Sequence, residues 1–319
     1  MVKYFAIISL SIATLVLPPL SAGVNLVQVN YKTSTSASSL ATAYPSAQTA
    51  GNLNIVVVGW NDTASAVSSV TDSRGNTYTR AIGPTAGTAL TQSIYYAKNI
   101  AAGSNTVTVT FNKAAAYPDV RVLEYSGADK ANPLDVTAAA VGTGLAANSG
   151  SASTTSLNEL IFGAGMTFDA YNAPGSGFTN RVITNFGDIA EDATVTSTGL
   201  YGATASLCAS APWVMQMAAF RGQSAFAVNG ISPSSGTTSG GTSVKITGTG
   251  FLSGATVTFG GVAGTNVTVA NSTTITATTP SHTAATVNVV VANSNGQSST
   301  LTSGFAVSKP LYSSTFTLG

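Results

Sequence analysis

Between residues 227 and 307, short runs of alternating β-branched residues are separated by glycines at regular intervals, and this pattern constrains the chain more than any other. Val244 and Ile246 alternate with Lys245 and Thr247, Val257 and Phe259 with Thr256 and Thr258, and Val287, Val289 and Val291 share one face. A side-chain period of two in such residues marks strands with one buried face and one wet face. Gly236, Gly240, Gly241, Gly248, Gly250, Gly260, Gly261 and Gly296 punctuate the runs. Tight turns there need positive φ or close backbone approach. Asn295-Gly296 is a two-residue hairpin signal. About seven short strands in about 80 residues predict a small two-sheet β-sandwich.

The residues that carry the pattern also resemble a known family. Ile231-Ser232-Pro233, Ser239-Gly240-Gly241-Thr242, Gly248, Gly250-Phe251, Phe259-Gly260-Gly261, Pro280, Val287-Asn288-Val289 and Phe305 follow one another as in the IPT/TIG domain, an immunoglobulin-like fold shared by plexins and transcription factors. The resemblance implies a spacer or binding module on a surface or secreted protein. Transcription-factor members of that family bind DNA, but from Gly222 onward the charged residues are Lys245 and Lys309 alone. A reader of phosphate backbone needs clustered Arg and Lys, so nucleic acid is not an expected partner.

The first residues set the expected compartment. Lys3 precedes an apolar run from Tyr4 to Leu17, Pro18-Pro19 breaks any helix, and Ser21-Ala22-Gly23 offers small residues for cleavage. Residues 1–23 therefore read as a secretory signal peptide, too short to span a bilayer comfortably, and no later run is apolar enough to span. Composition agrees with a secreted or cell-surface location. Charged residues make up 7% of the chain, against about a quarter in ordinary soluble domains. Ser, Thr, Asn, Gly and Ala must cover the surface, and with Lys3 removed the acids and bases balance, which favours self-association. The single cysteine, Cys208, has no intrachain partner and reads as a small buried hydrophobe on a strand.

Residues 24–222 form the second predicted unit, with no apolar stripe at helical spacing. Strand candidates are 24–31, 53–60, 66–71, 77–81, 92–98, 105–111, 119–126, 158–167, 178–184, 191–198 and 212–221. That density predicts an all-β chain: a jelly-roll or lectin-like two-sheet sandwich over 24–222, an immunoglobulin-like sandwich over 223–308 and a tail at 309–319. The Thr71–Thr77 loop reads as a hairpin turn held by Asp72, with Gly75 free to take positive φ. Val70 to Tyr78, Tyr95-Tyr96-Ala97, Val122 to Gly127, Pro133-Leu134-Asp135 and Asn158-Glu159-Leu160 resemble a β-rich domain of secreted, multi-domain bacterial proteins with no established activity.

Catalysis finds little support. All eleven acids precede residue 223, yet no strand carries Glu-x-Asp or Glu-x-Glu, and a glycosidase needs two carboxylates flanking its bond. Glu124 and Glu159 sit singly on separate strands, and Glu124 reads as a structural carboxylate. No Gly-x-Ser-x-Gly elbow occurs, and the one histidine, His282, lies in a loop of the other unit. One His and one Cys exclude an ordinary zinc site. No cofactor is expected, with calcium the one metal kept in view. The candidates are the Asp72–Asn76 loop, the Asp129–Asp135 segment and the trio Asp188, Glu191 and Asp192, for which a solvated turn is the competing reading.

The functional expectation is a non-catalytic binding protein that recognises carbohydrate or another surface polymer through 24–222, with the second sandwich as spacer. Aromatic faces stack on sugar rings, and Trp60, Tyr96, Tyr117 and Tyr171 are the candidate contacts. Tyr95 and Tyr96 must point to opposite faces of one strand. The competing class is a structural or adhesive surface protein that assembles through strand edges, including the tail.

Overall fold

The computed structural model describes residues 23–294 and 296–310. The expected signal peptide apart from Gly23, Asn295 of the hairpin signal and the tail from residue 311 lie outside the described residues. No helix occurs among the described residues, and the all-β expectation holds. The chain divides into two compact units, one ending at Ser224 and one beginning at Ala225.

The first unit opens with eight strands: β1 (Asn25–Thr33), β2 (Ser36–Ala43), β3 (Leu53–Trp60), β4 (Val67–Asp72), β5 (Thr79–Ala86), β6 (Thr91–Ala97), β7 (Thr106–Ala116) and β8 (Asp119–Ser126). They pair in the orders β1-β8-β3-β6-β5 and β2-β7-β4. This is the jelly-roll order with one change, because β5 lies on the edge of the first sheet instead of beside β4. The hydrophobic run Ile55-Val56-Val57-Val58 explains why β3 is central, since it is buried on both faces. Val56, Val58, Trp60, Val120 and Val122 meet Leu40, Val107, Val109 and Phe111 of the second sheet.

The next eight strands repeat the arrangement. They are β9 (Leu134–Asn148), β10 (Ala152–Ser153), β11 (Glu159–Thr167), β12 (Tyr171–Pro174), β13 (Thr179–Ile183), β14 (Ile189–Val195), β15 (Leu200–Tyr201) and β16 (Thr204–Arg221). The ladder β9-β16-β11-β14-β13 reproduces β1-β8-β3-β6-β5. Leu53 pairs with Tyr125 and Leu160 with Phe220, and each aromatic stands two residues before a glycine, Gly127 or Gly222. The long strands β9 and β16 each do the work of two strands in the first set. Their bent ends pair at Ala147–Ala205, and β12 flanks β16 at Tyr171–Leu207, as β2 and β4 flank β7. Residues 24–222 are thus two sandwiches where the sequence pattern suggested one. Cys208, expected to be buried, is exposed at the bend of β16, where the register slips between Ser206 and Ala211 and Leu207 takes the inward position.

The two sandwiches stack through their inner sheets. Leu53, Ile55, Val57, Ile94, Leu123 and Tyr125 pack on Leu160, Phe162, Ala164, Ala190, Ala218 and Phe220. A buried polar knot interrupts this apolar layer. Arg121 donates to the carbonyls of Gly165 and Ile189 at 3.0 and 2.6 Å and to Gln92 Oε1 at 2.9 Å, and its Nε pairs with Asp119 at 2.9 Å. Gln216, which holds the ladder place in β16 that Arg121 holds in β8, donates to the Gln92 carbonyl at 3.0 Å. Buried donors of this kind need protein partners, so the knot fixes how the two sheets meet.

The second unit is a two-sheet sandwich. Its strands are β17 (Ala227–Ser232), β18 (Ser235–Thr237), β19 (Ser243–Thr249), β20 (Thr256–Phe259), β21 (Val262–Ala263), β22 (Thr265–Asn271), β23 (Thr274–Thr278), β24 (Ala285–Ala292) and β25 (Ser298–Ser308). They form the sheets β17-β19-β23-β22 and β18-β25-β24-β20-β21, with β18 and β25 parallel. The alternating Val244, Ile246, Val257, Phe259, Val287, Val289 and Val291 face inward together, as the period of two requires.

Candidate functional site

The displacement of β5 leaves a gap between β4 and β5, and a cleft of about 260 Å³ opens there. Thr91, Ser93 and Tyr95 alternate along β6 and so share the face that lines it, beside Trp60 at the end of β3. Arg80, Pro84 and Ala86 of β5 and the loop Thr63–Val67 complete the wall. Proline cannot donate to a ladder, which suits Pro84 to this bulged edge strand. Gly83 takes φ +101°, and a Cβ there would lie 2.7 Å from both Ser93 Oγ and the Gln92 carbonyl oxygen. Glycine is required at that bulge.

Two buried donors at this cleft have no partner. Trp60 Nε1 and Ser93 Oγ make no hydrogen bond, although each residue is only 1% exposed. Buried polar groups are nearly always satisfied, so an unpartnered pair beside a cleft stands out. Arg80 is exposed at the rim and the Tyr95 ring is half-buried. Among the described residues no carboxylate lines the cleft. The nearest acid in sequence, Asp62, is spent on the loop: it accepts from the amides of Ala64, Ser65 and Ala116 and from the Ser65 hydroxyl. Burial pushes its carboxyl up, but those donors together outweigh burial and bring it down to about 2. The Thr91 hydroxyl donates to the Asp62 carbonyl at 2.7 Å, which ties the loop to β6.

The structure scatters the other aromatic residues singled out from sequence. Tyr96 faces away from Tyr95, packs edge-on against Phe220 at 5.7 Å and lines a separate hollow. Tyr117 stands 48% exposed at φ +47°, an uncommon backbone for a bulky residue, with its ring edge-on to Phe186 at 5.7 Å. Tyr171, a candidate contact from sequence, begins β12 and is 2% exposed, with its hydroxyl toward the Val214 carbonyl, and no face of its ring is open to a ligand.

The acidic trio does not converge. Asp188, Glu191 and Asp192 are all buried, at 2%, 0% and 1% exposure, so the segment is not a solvated turn. Strand alternation sends Asp188 and Asp192 to the inner layer and Glu191 to the opposite face. Asp188 accepts from the Thr167 amide at 3.0 Å, and burial, then the Asp119 charge, push its carboxyl upward. Asp192 pairs with Arg181 at 2.7 Å and accepts from the Tyr125 hydroxyl at 2.6 Å. Glu191 accepts from the Gly175 amide at 2.9 Å. Asp72 is taken up by Arg74, Asn76, Tyr78 and Asn105, and Asp129 by the amides of Ala131 and Asn132. Among the described residues no group of three His, Cys, Asp or Glu side chains is placed to hold a metal ion. Glu124 has the structural role read from sequence, accepting from Gln28, Thr49 and Asn52.

Fold and cleft together describe a tandem β-sandwich protein with an aromatic-walled cleft at a sheet edge. Residues 227–306 match the family model described as the IPT/TIG domain, so the second unit carries an immunoglobulin-like IPT/TIG domain, as the sequence resemblance implied. No curated protein matches the chain. Among solved structures, the crystal structure of a gamma-CGTase from alkalophilic Bacillus clarkii aligns at 17% identity and a TM-score of 0.26, covering 53% of this chain and 26% of that chain. A likeness at that TM-score bears on neither fold nor function.

Proposed function

We propose that this is an exported, non-catalytic binding protein that takes a carbohydrate segment into the Trp60–Ser93–Arg80 cleft, with the IPT/TIG domain as its spacer. The observation that carries the reading is the pair of buried, unpartnered donors, Trp60 Nε1 and Ser93 Oγ, beside a hollow of about 260 Å³. Sugar hydroxyls accept from such donors, the Arg80 guanidinium adds donors at the rim, and the Tyr95 ring offers an apolar face to a pyranose. The absence of any lining carboxylate supports binding without hydrolysis.

A glycan array and polysaccharide pull-down with the full chain test this. Trp60→Phe keeps an aromatic ring, though a smaller one, and deletes one donor, while Arg80→Ala deletes the rim charge. Each is expected to weaken binding about tenfold, the equivalent of one hydrogen bond of roughly 1.4 kcal/mol. Glycan binding that survives both changes would place the ligand elsewhere.

One observation favours assembly as a second reading. Among the described residues β9 pairs only with β16, so its other edge has no ladder there, and Val141 and Leu145 are 45% and 59% exposed along it. An unpaired apolar edge is a site for strand addition. Sedimentation that shows a concentration-dependent dimer, abolished by Leu145→Lys, would favour that reading over the cleft.

A further inference from the structure

A second hollow, of about 390 Å³, lies on the opposite face of the same sheet edge. Its wall is made by Gly75, Asn76 and Thr77 of the β4–β5 loop, Thr79 of β5, Tyr96 at the end of β6, Lys98 and Asn99 just beyond it, and Lys130 from the loop after β8. Thr79 pairs with Tyr96, and Arg80 with Tyr95, so neighbouring residues of two strands face the two hollows alternately.

Charge distinguishes this hollow. Only twelve basic residues occur in 319, and two of them face it. The ion pairs among the described residues belong to Arg121, Arg181 and Arg221, and neither lysine takes part in one. Among the described residues no carboxylate lines the hollow: Asp72 is turned into its hairpin loop, Asp129 onto the amides of Ala131 and Asn132, and Glu124 onto Gln28, Thr49 and Asn52. The Lys98 ammonium donates to the Ala131 carbonyl, which fixes it beside the loop that carries Lys130, and Lys130 folds back over Gly51. Two like charges held at one hollow with no acid between them favour an anion there.

The walls are also fixed before any ligand arrives. Asn76 uses both side-chain atoms internally, accepting from the Ala101 amide at 2.9 Å and donating to Asp72 at 2.8 Å. The Tyr96 ring is braced edge-on by Phe220. A rigid aromatic ring beside paired ammonium groups suits a sugar ring that bears a carboxylate, because the ring stacks while the anion is held.

We propose that the Tyr96–Lys98–Lys130 hollow binds an acidic sugar, a pyranose carrying a carboxylate, within a polysaccharide chain. This deepens the carbohydrate reading and rests on it for the sugar; the preference for an anion rests on the lysines alone. The test is titration of the full chain with an oligogalacturonate, its methyl ester and inorganic sulfate, each at 50 and 500 mM salt. The acid form is expected to bind, with affinity at least tenfold above the ester, and to weaken at the higher salt. Lys98→Met and Lys130→Met should each reduce binding about tenfold with the thermal midpoint unchanged, and Lys130→Arg should restore it. Equal affinity for acid and ester would overturn the inference, as would loss on Arg80→Ala with none on the lysine changes. In both of those cases glycan binding itself would survive. Sulfate binding as tight as uronate at the same lysines would overturn the sugar half, and no binding of any of the three would overturn the site.

Discussion

Replacing Glu191 by Gln should make the first unit more stable at pH 8 and leave it little changed at pH 5. Glu191 stands on β14 opposite Gly163, where it is wholly buried. Its Oε2 accepts from Gly175 at 2.9 Å, while Oε1 has no partner. Burial raises the carboxyl, the Gly175 amide opposes that, and the neighbouring Asp192 charge adds to it, so the pKa moves from 4.5 up to about 7. An acid raised by folding favours its neutral form in the native state. Its contribution is therefore complete below the unfolded value of 4.5 and is lost as pH climbs through about 7. Linkage over that interval gives a loss of roughly 2.5 kcal/mol between pH 5 and pH 8. Glutamine keeps an acceptor for Gly175 and cannot ionise, so it removes the loss; its amide leaves a donor unpaired, which costs about 1 kcal/mol at every pH. Both tryptophans, Trp60 and Trp213, lie in this unit, so their fluorescence in urea reports its unfolding without the IPT/TIG domain. Taking variant minus wild type at pH 5, 6, 7 and 8 cancels the other raised carboxyls of this unit, Glu159 at about 8 together with Asp119 and Asp188. A difference that does not change with pH would refute the reasoning.

Two further changes probe the parts that position the cleft and join the sandwiches. Arg121→Leu strips the cation from Asp119 and leaves that buried carboxylate without its ion pair, so urea unfolding should show a loss of about 3–5 kcal/mol, much of it recovered when Asp119→Asn is added. Gly83→Ala places a methyl group at φ +101° against Ser93 and the Gln92 carbonyl; a loss of about 1–3 kcal/mol, with glycan affinity falling alongside, is expected from the strained bulge, and an unchanged midpoint would show that β5 relaxes freely.

Much of the strand content was legible in the sequence because burial on one or both faces writes itself into residue type. The runs at 53–60, 119–126 and 158–167 became β3, β8 and β11 almost residue for residue, since each is a central strand of apolar residues. The strands of the first unit that escaped were β2, β9 and β12, with the two-residue β10 and β15. Ser36–Ala43 and Leu134–Asn148 are built from Ser, Ala, Gly and Thr and stay largely half-buried or exposed, so their composition resembles a loop. Their place in the fold is set by ladders to β7 and β16, which are non-local and leave no mark on local pattern. The candidate site divides in the same way. Trp60 was among the aromatic candidates read from sequence, but its neighbours Ser93 and Arg80 come from two other strands, and nothing in their own sequence surroundings points to the cleft. The acidic trio shows the converse: sequence proximity brought Asp188, Glu191 and Asp192 together, and strand alternation put them on two faces.

The repeated strand order gives the two sandwiches equivalent gaps, which their side chains treat differently. Val56 pairs with Tyr95 in the first set, and Gly163 pairs with Glu191 at the same place in the second; Trp60 and Thr167 are likewise equivalent. Both sets leave the fifth strand on the inner sheet, so both inherit a gap beside the fourth. In the first the gap is walled by a tryptophan, a tyrosine and an arginine and remains open. In the second, Glu191 turns into it, the Gly175 amide closes on the carboxylate, and Tyr171, Leu207 and Met215 pack the interior. A carboxyl held near neutrality by burial is poorly suited to hold the second gap shut at alkaline pH, which links stability there to the same residue that fills it. Two copies of one architecture have thus diverged at equivalent ladder positions, one toward an open hollow with unpartnered donors and one toward a closed, ionisable core.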